Sequence, residues 1–224
     1  ARPRILVIDD EAGILASRTL IDRFPKSDYV DEALYERGWA QYELHHYQEA
    51  VQAFSEFSGK AVVDYRVDRA QFQIAKSYYE QAQYAQTRQA LKPLIDRYDF
   101  SHLSGAERMQ MEAQKLSGVV KETALELVAK AQLLIGDTYS AESQLDEAVA
   151  AYRRVIGDYP QERQLVEEAY VKIGEAYFSQ GDLEGGIQLY RRATSEVADR
   201  GFRARMQTRI ARQYYQAEQF PQAL

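Results

Sequence analysis

Small, apolar and polar positions recur along this chain at helical spacing, and they recur in copies. In five segments a small residue is followed three or four positions later by Tyr, and in four of these a second small residue comes about twelve positions after the first. The copies begin at Gly38-Trp39-Ala40-Gln41-Tyr42, Ala75-Lys76-Ser77-Tyr78-Tyr79, Gly136-Asp137-Thr138-Tyr139, Gly174-Glu175-Ala176-Tyr177-Phe178 and Ala211 with Tyr214 and Tyr215. Large residues follow in each, among them Phe54, Leu91, Tyr152, Tyr190 and Phe220. The small anchors at 38, 75, 136, 174 and 211 are separated by 37, 61, 38 and 37 residues. A small residue in one helix lets a neighbouring helix approach, while large residues at helical spacing fill the gap between them. One helix pair cannot bury its apolar face alone, so stacked pairs must share a core. The pattern predicts an all-α chain, an α-solenoid of antiparallel helix pairs over 12–224, with the array incomplete at its C-terminal end.

The long interval holds about 24 extra residues relative to its neighbours. Their helix-forming composition predicts a helical insertion around 100–128, either a separate helix or an extended first helix of the third pair; a degenerate repeat is the alternative. At the other end, Arg4-Ile5-Leu6-Val7-Ile8-Asp9-Asp10-Glu11 resembles the first strand and acidic pair of a response-regulator receiver. No later strand series accompanies it, so residues 1–11 are read as a leader and not as a domain. Its acidic residues suit the start of the helix that follows.

The repeats resemble the tetratricopeptide family, whose pattern of aromatic, Leu-Gly, Tyr, Ala, Phe, Ala and Pro is matched best over 132–160 and 170–193. The resemblance implies a right-handed superhelix whose first helices line a concave groove. The period exceeds the usual ~34 residues because of links such as Phe24-Pro25-Lys26-Ser27-Asp28-Tyr29 and Tyr159-Pro160-Gln161-Glu162, where Pro ends one helix and Ser27 or Asp28 can cap the next. These links resemble those of bacterial envelope members, the outer-membrane barrel-assembly lipoprotein and the Tol-Pal-associated cell-division coordinator.

Composition narrows the functions open to such a chain. The formal charge of -6 argues against a general nucleic-acid binder, because phosphate neutralisation needs a clustered basic surface. With no Cys, disulfides, thiol catalysis and Cys zinc sites are excluded; with no Asn, so is N-linked glycosylation. No apolar run reaches the ~18 residues that a membrane-spanning helix requires. His45 and His46 fall in a turn and point apart, and His102 stands alone, so no metal or cofactor site is predicted. No nucleophile elbow, HExxH, Walker or dinucleotide fingerprint occurs. Glu167-Glu168 and Asp146-Glu147 are read as helix-start carboxylates. The chain reads as non-enzymatic.

By the family resemblance, the residues one and four after each anchor line the groove. These are Trp39 and Tyr42, Lys76 and Tyr79, Asp137 and Ser140, Glu175 and Phe178, and Arg212 and Tyr215, with Tyr35 adding a further ring. Rigid amphipathic rings suit the grip of an extended segment or helix of a partner protein; the alternative is that they pack helix against helix. The family's C-terminal carboxylate clamp uses Lys, Arg and Asn, and this chain offers Lys76 and Arg212 without Asn. A basic patch of Arg191, Arg192, Arg200, Arg203, Arg205, Arg209 and Arg212, against Glu196 and Asp199, could dock an acidic protein surface, or could be a solvated face paired with nearby Glu. The expected function is a protein-interaction scaffold in a bacterial cell-envelope assembly, in the periplasm. A cytoplasmic signalling adaptor, or the targeting arm of a larger enzyme, is the alternative.

Overall fold

A computed structural model describes residues 10–60, 66–98, 124–197 and 199–217. The chain divides into two compact units, residues 1–99 and 100–224. The first contains α1 (Asp10–Arg23), α2 (Val30–Glu43), α3 (Tyr47–Lys60), α4 (Arg66–Glu80) and α5 (Tyr84–Arg97). The second contains α6 (Ala124–Ala141), α7 (Leu145–Asp158), α8 (Arg163–Ser179), α9 (Leu183–Glu196) and α10 (Arg200–Gln216). Within each unit every helix packs on the next in sequence, and no strand occurs among the described residues. The architecture is the all-α stack of antiparallel helix pairs that the spacing predicts.

The joint inside each pair explains that spacing. A Cβ placed on Gly38, Gly136 or Gly174 would stand under 3.0 Å from the ring of Phe54, Tyr152 or Tyr190, so the ring of the second helix occupies the hollow left by the glycine of the first. Anchor and ring are sixteen residues apart in all three, and Ala75 and Leu91, both fully buried, repeat the interval in α4 and α5. A polar bond backs the joint in two pairs. Gln71 donates from Nε2 to the Ala90 carbonyl at 2.8 Å, and Gln132 to the Ala151 carbonyl at 3.4 Å, each from a position four residues before its anchor.

A common turn then sets each second helix against its first. His45, Ala82, Ser143 and Gly181, each seven residues after an anchor, adopt φ of +61°, +56°, +60° and +79°. The following N–H of His46, Gln83, Gln144 or Asp182 donates to the carbonyl five residues back, at 2.8 to 2.9 Å. This left-handed closure satisfies carbonyls that the helix end would leave unpaired. Glycine serves it only at 181.

Several local expectations differ. α2 starts at Val30 with Tyr29 as its cap residue and no side-chain cap; Ser27 Oγ instead accepts from the Tyr29 N–H at 3.3 Å. Asp182 and Asp199 do cap, accepting from the Gly185 and Phe202 N–H groups. Asp146 and Glu147 lie in the first turn of α7, but Glu167 and Glu168 sit deeper in α8 and make ion pairs. α6 begins twelve residues before Gly136, close to the eleven by which α8 precedes Gly174. Of the expected insertion, 124–128 therefore form the start of α6, and the remainder lies outside the described residues. So do residues 1–9 of the receiver-like segment, while α1 begins at Asp10.

Candidate partner-binding site

In the first unit the ring set predicted to line a groove divides between core and surface. Tyr35 is 8% exposed and belongs to the core with Leu34, Phe54 and Phe57, so it is not groove-lining; its ring meets Phe57 at 5.2 Å. Tyr35 lies on the face of α2 that meets α3. Trp39 is half-buried, packed edge-on against Phe54 at 6.0 Å and Tyr42 at 6.4 Å. Tyr42 continues outward to Tyr47 at 5.5 Å, and the Lys76 ammonium of α4 stands 5.1 Å from the Tyr42 ring. Burial, reinforced by the Glu80 and Glu43 carboxylates, pushes the Tyr42 hydroxyl up to about 12. Tyr79 pairs with Tyr84 at 5.6 Å in the same way. Tyr47 and Tyr84, which were not among the expected groove residues, each open a second helix nine residues after an anchor.

The second unit presents charge where the first presents rings. Asp137 of α6 accepts from Lys172 Nζ of α8 at 2.8 Å and from the Tyr152 hydroxyl at 2.7 Å. Burial disfavours the Lys172 charge, but the hydrogen bond to Asp137 and the attraction of Asp137 and Glu168 outweigh it and hold its pKa above the usual lysine value. Ser140 and Glu175 are exposed. Phe178 is half-buried against Tyr190 at 5.7 Å, and its ring fills the space a side chain at Gly186 would need, so it is a packing residue of the α8–α9 joint. Arg212 and Tyr215 are exposed, Tyr215 at 66%.

The seven arginines do not form one surface. Arg205 makes a two-pronged pair with Glu167 at 2.5 and 2.6 Å, Arg192 pairs with Glu196 at 2.6 Å, and Arg191 donates to the Tyr214 hydroxyl at 3.2 Å. At 100° per residue, Arg205, Arg209 and Arg212 share one face of α10, while Arg200 and Arg203 lie on another. Arg209 approaches Glu175 only to 3.9 Å. With Tyr190, Arg212, Gln213 and Gln216 these two residues line a cavity of about 200 Å³.

The histidines are used locally. His45 Nδ1 meets the Tyr47 hydroxyl at 2.7 Å and His46 Nδ1 meets Gln41 Oε1 at 2.9 Å, both in the exposed turn, while His102 lies outside the described residues. Among the described residues no group of three or more His, Cys, Asp or Glu could hold a metal ion, and no helix is long and apolar enough to cross a membrane.

Stacked helix pairs with one recurring glycine–ring joint and one recurring turn define a helical-repeat protein. The particular repeat follows from comparison: models of the tetratricopeptide repeat match residues 32–60 and 69–101, and a second such model matches 133–201. The chain carries tetratricopeptide repeats. It is similar to the crystal structure of MamA, at 18% identity and a TM-score of 0.54 over 84% of this chain and 88% of that one. It is also similar to BtubC from P. vanneervenii, at 12% identity and a TM-score of 0.57 over 96% and 84%. A third similar structure is that of the TPR-like repeats of a putative kinesin light chain from Podosopora anserina, at 16% identity and a TM-score of 0.51 over 86% and 89%. At these identities the likeness is one of fold. No curated protein matches the chain in sequence. Tetratricopeptide repeats and these neighbours support a protein–protein interaction scaffold.

Proposed function

We propose that this chain is a non-enzymatic scaffold whose first unit holds an extended segment or helix of a partner protein against the aromatic face formed by Trp39, Tyr42, Tyr47, Tyr79 and Tyr84. The observation that carries this reading is that these rings are half-buried and not fully packed, so each offers an apolar side with a polar tip. Such rings contribute large contact area with few rotatable bonds and commonly dominate interface energetics. The setting we propose is a bacterial cell-envelope assembly, supported by the likeness of the Phe24-Pro25 and Tyr159-Pro160 links to envelope members of the family.

Affinity capture with mass spectrometry tests the site. Partners held by the native protein are expected to be lost from the Trp39→Ala/Tyr42→Ala double variant and reduced with Tyr79→Ala, at unchanged far-ultraviolet circular dichroism. Equal capture by native and variant proteins rejects the aromatic face. Loss of helicity in the double variant shifts the decision to Tyr79→Ala, whose undiminished capture also rejects it. Fractionation of cells expressing the full gene product tests the setting, and recovery in the cytosolic fraction overturns it.

A further inference from the structure

The cavity between α8, α9 and α10 is lined by polar and charged side chains over one core ring, Tyr190. α10 carries five Arg and no Asp or Glu, and its arginines are unequally satisfied. Arg205 is saturated by the two-pronged Glu167 pair. Arg209 approaches Glu175 at 3.9 Å, too long for a hydrogen bond, with side chains 43% and 63% exposed, and its guanidinium also stands against the Tyr190 hydroxyl. Arg212 is exposed, and its guanidinium makes no ion pair among the described residues. The guanidinium groups of Arg209 and Arg212 stand one helical turn apart on one face, beside the amides of Gln213 and Gln216, over a floor formed by Tyr190, which is 1% exposed.

We infer that this cavity is a subsite for an acidic side chain, Asp or Glu, of a bound protein segment. A planar carboxylate accepts two parallel N–H bonds from a guanidinium, the geometry for which arginine is suited and lysine is not. About 200 Å³ corresponds to several waters at ~30 Å³ each, enough for a short side chain entering from solvent. Glu175 on the rim decides between ligands of this charge. A dianionic phosphate would meet its repulsion at close range, whereas a peptide brings one negative charge and backbone N–H groups that Glu175 can accept from. Tyr190 adds no negative charge near neutral pH, because burial pushes its hydroxyl up to about 12 even with Arg209 beside it.

The inference rests on the interaction-scaffold reading but uses residues of the other unit, so the two can fail separately. The experiment is fluorescence anisotropy with a labelled decapeptide of alternating Glu and Ala and a matched Gln–Ala peptide, on the native chain and on Arg212→Gln, Arg209→Gln and Arg203→Gln. The acidic peptide should bind and the Gln peptide should not. Arg212→Gln and Arg209→Gln should each weaken binding about tenfold, the loss of one charged hydrogen-bonded contact, whereas Arg203→Gln, on another face of α10, should change it less than about twofold. Equal weakening by Arg203→Gln would reduce the effect to net charge and overturn the subsite. Displacement of the peptide by inorganic phosphate at matched concentration would also overturn it, identifying a site for free anions, as would failure of the acidic peptide to bind at all. Trp39→Ala/Tyr42→Ala should leave this binding unchanged whatever its effect on partner capture; a loss comparable to that of Arg212→Gln would move the peptide to the aromatic face and overturn the subsite.

Discussion

In the first unit, neighbouring first helices meet through a ring and a cation, with Lys76 of α4 set 5.1 Å over Tyr42 of α2. In the second, the corresponding meetings are ion pairs, Lys172 of α8 with Asp137 of α6 at 2.8 Å and Arg205 of α10 with Glu167 of α8 at 2.5 Å. Beneath these surfaces the two units share one joint, Gly38 with Phe54 in one and Gly136 with Tyr152 and Gly174 with Tyr190 in the other. The joint is fixed by sterics, since any side chain at the glycine would overlap the ring. The contacts between neighbouring first helices obey no such constraint and differ in chemistry between the units. Stability therefore belongs to the joints, and the faces are where the two units differ.

The largest expected effect tests the shared joint. Phe54→Ala and Tyr190→Ala should each cost about 3–5 kcal/mol, the range for deleting a fully buried large ring, measured by urea unfolding followed by circular dichroism. Trp39, the only Trp in the chain, packs on Phe54 at 6.0 Å, so its emission follows the first unit. A loss below about 1 kcal/mol in either variant would show that the joint is not what the units hold in common.

Alkaline titration should come next in size. Tyr42 and Tyr98 in the first unit and Tyr190 in the second are each pushed up to about 12, with burial as the leading cause. A folded value above the unfolded one, about 10, means that the native state holds these protons more tightly. Their contribution is complete below about pH 10 and is lost as pH rises through about 12. Tyrosinate absorbance should therefore rise together with loss of helix in that window. Glu80→Gln should lower the Tyr42 value, because Glu80 is its strongest charged neighbour. Ionisation near pH 10 without unfolding would contradict the burial of these hydroxyls.

The ion pairs should contribute less. Lys172→Met leaves Asp137 with only the Tyr152 hydroxyl, and with the pair about one quarter exposed the loss should be about 1 kcal/mol at low salt, shrinking as salt is added. Lys76→Met should cost about 0.5 kcal/mol, since it removes a partly exposed cation from a ring. If Lys76→Met proves the costlier, the distinction drawn between the two faces fails.

Much of this is legible in the sequence. Repetition carried the fold: three of the four anchor intervals are 37 or 38 residues, and the sixteen-residue step recurs from 38 to 54, 75 to 91, 136 to 152 and 174 to 190. The faces were less legible. Periodicity assigns Tyr35 and Trp39 to one side of α2, yet one helical turn separates a core ring from a half-buried one, and only the position of α3 decides which is which. Phe178 likewise packs at Gly186 of the neighbouring helix α9, which a single-helix pattern for α8 does not represent. The arginines read as one patch because local charge balance ignores Glu167 and Glu175, roughly thirty-five residues away in sequence and adjacent in space.

The smallest expected effect lies in the turn that both units share. His45, Ala82 and Ser143 hold a left-handed conformation at φ near +60°, which costs an L-residue roughly 1–2 kcal/mol, whereas glycine meets it without steric penalty but gives up roughly 0.5–1 kcal/mol of unfolded-state entropy. The difference predicts that Ala82→Gly in the first unit and Ser143→Gly in the second each stabilise the chain by about 0.5 kcal/mol, while Gly181→Ala destabilises it by about 0.5 kcal/mol. His45→Gly should gain less, because His45 also hydrogen-bonds Tyr47 at 2.7 Å and that contact would be lost. Thermal unfolding of the single variants measures all four. A stabilising Gly181→Ala, or destabilising glycines at both 82 and 143, would mean that the turns follow the chemistry of their own unit and not a geometry common to the repeats.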